Sequence, residues 1–149
     1  MHDLIDRQIG LVVFNAAYDL TMLRAEATRW GIDQPDWDRL LVVDPFVIDW
    51  GIERGGLGPR RLSDVAAYYG VVLDNAHDAA ADARAARDIA YEIGKRHPGI
   101  AAGDLRDLMV SQVAWYAARA EDWNAYAIKV DRPLDDPAGW PLQSPAFAV

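Results

Sequence analysis

Cysteine is absent from the 149 residues. That removes disulfide scaffolds, thiolate zinc sites, iron–sulfur clusters and cysteine nucleophiles together, and leaves oxidising and reducing compartments equally open. Positive charge is scarce: 15 Lys and Arg stand against 23 Asp and Glu, a formal charge of −8. A broad surface gripping many phosphates is therefore excluded, and any nucleic-acid contact must be local. No apolar run reaches the ~18 residues of a membrane span, and Met1-His2-Asp3-Leu4-Ile5-Asp6 lacks the basic-then-apolar order of a signal peptide. The expectation is a cytoplasmic protein with no membrane partner. Internal repeats and low-complexity tracts are missing too. What remains, 52% hydrophobic and 26% charged residues, suits one folded core.

Periodicity places the elements. Leu4, Ile5 and Ile9 at helical spacing read as a helix tail ending at Gly10. Leu11-Val12-Val13-Phe14 and Leu40-Leu41-Val42-Val43 are unbroken, β-branched apolar runs, the pattern of strands buried on both faces. Each is followed by a helix: Leu20, Leu23, Ala27 and Trp30 recur until Gly31, and Asp44-Pro45 supplies an N-cap and first helical residue for a helix through Trp50. Two βα units predict a parallel pair. Leu62 to Tyr69 reads as a short helix stopped by Gly70. Residues 78–96 read as a long helix with Ala79, Ala83, Ala86, Ala90 and Ile93 on its apolar side. A last helix over 104–129 carries Leu105, Leu108, Gln112, Val113, Tyr116, Ala120, Trp123 and Ala127 on one stripe. The Pro-rich end is expected to run irregularly over the surface. Two strands alone make a marginal sheet, so a flanking segment is expected to be missing from this chain.

Few residues carry chemistry. Asp19 lies in the first turn of a helix leaving a strand, at the edge where open α/β sheets place ligands; the dipole and free N–H groups of a helix start favour an acid there in any case. Asp82 continues an apolar helix stripe toward the interior, where a carboxylate needs a cation or donors, and His77 precedes that helix. The alternatives are a solvated helix start for Asp82 and a cap or packed ring for His77. Arg60 and Arg61, in a Gly-rich loop, suit substrate phosphates or a solvated helix start. Asp44 reads as a cap. Trp115, Tyr116, Trp123 and Tyr126 suit packing more than base stacking.

Val13-Phe14-Asn15-Ala16-Ala17-Tyr18-Asp19-Leu20 with Leu23 resembles the second motif of DnaQ-like 3′–5′ exonucleases, and His77-Asp78-Ala79-Ala80-Ala81-Asp82-Ala83 resembles their third, with the histidine spacing of the DEDDh branch. The resemblance covers residues 4–96. It implies an α/β, ribonuclease H-like exonuclease fold, helix-rich and with a long C-terminal helix. Residues 1–100 would form a partial exonuclease domain, and residues 101–149 a helix and tail packed on it. It implies two-metal hydrolysis of a DNA 3′ end, less readily RNA, with two Mg²⁺ or Mn²⁺ ions ~4 Å apart held by carboxylates. Asp19 and Asp82 would be metal ligands, and His77 the base that accepts a proton from attacking water. Asn15, Tyr18, Arg60 and Arg61 would contact substrate.

The family's first motif, an Asp-x-Glu on an N-terminal strand that brings the other two acids, occurs nowhere in this chain. By the resemblance, Met1 falls inside the helix after the family's antiparallel strands, so the missing sheet partners and the missing ligands are one segment. Weak or no nuclease activity is expected of residues 1–149 alone. The alternative is a non-catalytic module using its sheet edge and aromatic C-terminal helix to bind a polymerase-type partner or itself. A third reading makes the motifs accidental in a plain helical interaction domain.

Overall fold

The structure is a computed structural model that describes residues 1–53, 58–73 and 78–144. Helix α1 (His2–Asp6) leads into β1 (Leu11–Val12), and α2 (Ala16–Arg29) follows. A 3₁₀ turn (Trp37–Arg39) precedes β2 (Val42–Val43), which runs into α3 (Pro45–Glu53) and then α4 (Leu62–Tyr69). Helices α5 (Ala79–Arg96), α6 (Pro98–Ala101) and the long α7 (Leu105–Ala127) complete the set, with a 3₁₀ turn (Ile128–Val130) at the end. The fold is helix-rich around one small sheet, and β1 and β2 pair in parallel, as the two βα units predict. Among the described residues no helix is long and apolar enough to cross a membrane.

Helix ends follow local chemistry. Gly31 and Gly70 adopt left-handed backbone after α2 and α4, and the next residues, Ile32 and Val71, send their N–H groups back to Ala27 and Ala66. The first helix stops earlier than Gly10: Gln8 takes the left-handed position and Ile9 N–H bonds the Leu4 carbonyl at 2.8 Å. Ile9 is then left exposed and Ile5 alone enters the core.

Two apolar clusters sandwich the sheet. Val42 joins Leu20, Leu40, Val47, Tyr116 and Trp140 in one, while Val43 packs on the other side against a cluster containing Ile48, Val65, Ile89 and Ile93. Both faces are covered, yet β1 itself is only half-buried, because nothing among the described residues pairs with its outer edge. Leu11 and Val13 send their N–H groups to the carbonyls of Leu41 and Val43. By alternation the N–H and C=O of Val12 face outward.

The outer edge of β2 is closed by a helix. Gln112 of α7 is fully buried. Its Nε2 donates to the Val42 carbonyl at 2.9 Å, and its Oε1 accepts from Asp44 N–H at 2.7 Å. One side-chain amide thus bridges residues i and i+2 of the strand, as one residue of a parallel neighbour does. Gly51 lets α3 approach α7, since a Cβ there falls 2.2 Å from the Trp115 ring.

Three expectations need correction. The buried row of α5 is Ala81, Ala85, Ala86, Ile89 and Ile93, whereas Ala79 and Ala83 are exposed, because the helix turns the former set toward α4. On α7, Val113 is 48% exposed and drops out of the stripe. The tail does not merely lie on the surface: Trp140 is 5% exposed within the first cluster, and Gln143 N–H bonds the Thr21 hydroxyl at 2.8 Å.

Candidate functional site

The chain leaves β1 and turns sharply at Asn15, which is left-handed at φ 62°. Asn15 makes no side-chain cap for α2. The helix start is capped from the neighbouring strand instead: Asp44 accepts from Asn15 N–H at Oδ1 (2.9 Å) and from Ala16 N–H at Oδ2 (2.8 Å). Asp19 follows in the first turn of α2, and Asp82 occupies the first turn of α5. Both carboxylates sit at helix N-termini, where the aligned peptide dipoles favour negative charge.

Asp19 and Asp82 line the same groove. It encloses about 350 Å³ beside the open edge of β1, with Val12, Val13 and Phe14 on one wall, Leu62 from α4, and Ala79, Ala83 and Ala86 on the α5 wall. Partial burial holds the Asp19 carboxyl above its ordinary value. Asp82 is half-buried, so it borders the groove and does not enter the core. Ala79 and Ala83, the two exposed alanines of that wall, are among those that helical periodicity assigned to the interior. Their small side chains leave the trough open.

Other anticipated residues lie elsewhere. His77 falls outside the described residues. Tyr18 is 59% exposed and borders a separate hollow with Met22, Glu26 and Gln143. Asn15 is exposed, and its contribution is its main-chain bond to Asp44. The Arg60 side chain is 8% exposed and bonds Asp49 Oδ2 at 2.8 Å through Nε, so the solvated helix start does not describe it. Asp49 also accepts from Tyr69 O–H at 3.0 Å, and burial together with that carboxylate raises the Tyr69 phenol well above its usual range. This buried triad ties α3 to the segment just before α4 and to the last residue of α4. Arg61 is exposed and sets the α4 start, its main-chain N–H bonding Asp64 Oδ2 at 3.1 Å. Trp123 and Tyr126 of α7, expected to pack, are 36% and 55% exposed.

Asp44, Gln112 and Trp140 form a hub that sequence reasoning did not assemble. Asp44 is fully buried and accepts from Asn15, Ala16 and Phe46 main-chain N–H groups and from the Trp140 indole at 3.1 Å. Burial outweighs these donors and pushes its carboxyl up to about 6. One signal was available: a glutamine on an otherwise apolar helix stripe needs buried partners.

Two carboxylates on one groove offer oxygen donors suited to a hard divalent ion. Among the described residues no group of three His, Asp or Glu side chains is placed to share one ion. The two described carboxylates fall short of the set that a pair of ions demands. The chain matches no family model, no curated protein and no solved structure.

Proposed function

We propose that the chain is a nuclease-type domain of the DnaQ-like, DEDDh kind. In this reading its groove holds a divalent cation between Asp19 and Asp82 and receives the 3′ end of DNA, with little or no hydrolysis by this chain alone. The observation that supports it is the shared groove: two acids far apart in sequence, each in the first turn of its own helix, border one trough beside the end of β1. A bound Mg²⁺ or Mn²⁺ would neutralise phosphate charge and polarise water. Asp19 and Asp82 would hold it, and the apolar wall of Val12, Val13 and Phe14 offers a surface for a sugar or base. His77 is assigned the proton-accepting role by the resemblance.

The test is binding before cleavage. Mn²⁺ titrated into the full chain should enhance retention of a 3′-labelled single-stranded DNA, and Asp19→Asn or Asp82→Asn should abolish the enhancement. Binding that ignores both substitutions would overturn the reading. Rapid Mn²⁺-dependent release of nucleoside monophosphates, lost in Asp82→Ala, would overturn the expectation of weak activity.

A second reading, a non-catalytic module that pairs with a protein segment, is favoured by a different observation: the outward-facing N–H and C=O of Val12 at the open strand edge. Under it, DNA retention would show no metal dependence.

A further inference from the structure

We infer that Asp44 is a positioning residue for the groove: its carboxylate fixes the first turn of α2 and with it the direction in which Asp19 points. The inference rests on the cation-binding reading of the groove and adds to it a residue that touches neither cation nor substrate.

A helix start is ordinarily satisfied by the side chain of its own N-cap residue, which moves with the helix. Here Asn15 supplies no such bond. The first donors of α2 are instead met from β2, by a carboxylate 28 residues further along the chain. The start of α2 is thereby referenced to the sheet. Asp19 sits in that same first turn, so any tilt of the turn carries its carboxylate toward or away from Asp82.

The anchor is itself immobilised. Asp44 Oδ1 also accepts from Phe46 N–H at 3.1 Å, Oδ2 accepts from the Trp140 indole at 3.1 Å, and the Asp44 main-chain N–H donates to Gln112 at 2.7 Å. The tail that brings Trp140 also grips α2 further along: Gln143 N–H bonds the Thr21 hydroxyl at 2.8 Å, and Arg24 donates to the Gln143 carbonyl at 2.7 Å. Asp44 and the tail therefore hold α2 at two places, and Trp140 joins them. With Asp44 fully buried, α2 is the route by which it acts on the groove.

The test compares wild type with Asp44→Asn, Trp140→Phe and Ile93→Ala in the full chain. The last variant lowers stability from the second cluster, away from α2. Side-chain carboxyl-carbon NMR follows the titration of Asp19 and its broadening by Mn²⁺. In Asp44→Asn the Asp19 midpoint should fall toward the ordinary carboxylate value, and half-broadening should require about tenfold more Mn²⁺, in line with losses seen when supports of metal ligands are removed. Trp140→Phe should shift both in the same direction by less, and it carries the test with the carboxylate intact should Asp44→Asn fail to fold. Ile93→Ala should shift neither. An unchanged Asp19 midpoint in the folded Asp44 and Trp140 variants, or an equal shift in Ile93→Ala, overturns the positioning role. Wild-type signals that ignore Mn²⁺ overturn the cation reading, and the Asp19 midpoint then decides the role of Asp44 alone.

Discussion

Replacing Gln112 by leucine should unseat the edge of β2. The side chain is fully buried, and its amide serves both the Val42 carbonyl (2.9 Å) and the Asp44 N–H (2.7 Å). Leucine has similar bulk, so no large cavity opens. The cost is two buried main-chain groups left without partners, about 1–3 kcal/mol each. Added apolar burial returns part of this, leaving a net loss of about 2–4 kcal/mol. With a urea dependence of about 2 kcal/mol per molar for a domain of this size, the midpoint should fall by roughly 1–2 M at unchanged slope. Gln112→Glu should be damaging as well: it keeps the acceptor for Asp44 N–H, loses the donor to Val42, and sets a second carboxylate beside Asp44. Urea denaturation followed by tryptophan fluorescence measures both variants. A Gln112→Leu protein within 0.5 kcal/mol of wild type, at equal slope, would show that the amide does not act as a strand neighbour.

Four further outcomes follow from the packing and the buried charges. Gly51→Ala drives a methyl to within 2.2 Å of the Trp115 ring and should destabilise by about 1–3 kcal/mol; thermal melts should show partial rescue by Trp115→Leu in the double variant. Arg60→Ala strands Asp49 in a fully buried site and should cost about 3–5 kcal/mol, read by urea denaturation. The Asp44 carboxyl, raised from 3.8 to about 6 when folded, favours the folded state while protonated: its contribution is complete below 3.8 and is lost as pH rises through about 6. Wild type minus Asp44→Asn should therefore lose up to about 3 kcal/mol between pH 4 and pH 7.5, and a flat difference would refute the raised value. Asp19→Asn and Asp82→Asn should each remove saturable Mn²⁺ binding while leaving the melting temperature nearly unchanged, since both acids border an open trough; calorimetry decides.

Local signals made much of the architecture legible, and long-range ones did not. The bounds of α4 were readable because Gly70 alone there accepts the left-handed stop. The strand pair was readable from its β-branched runs. The apolar side of α5 was not, because a helix start built from alanines has no bulky residue to declare a face, and contact with α4 chose Ala81 and Ala85. Asp19 and Asp82 could be singled out as acids at helix starts, but their common groove depends on how α5 lies beside β1. Asp44 looked complete as a local cap ahead of Pro45, which concealed its bonds to Asn15, Ala16 and Trp140 from two other parts of the chain. Arg60 looked solvated for the same reason: its partner Asp49 lies 11 residues earlier, on α3.

The sealed flank of β2 sets a limit on assembly. Strand-by-strand polymerisation requires two templating sides per molecule, so that each newcomer presents a fresh one. With Gln112 plugging one side, the described part of this protein accepts an added strand only alongside Val12. Two copies meeting there would bury each other's templates, and the stoichiometry would stop at a pair.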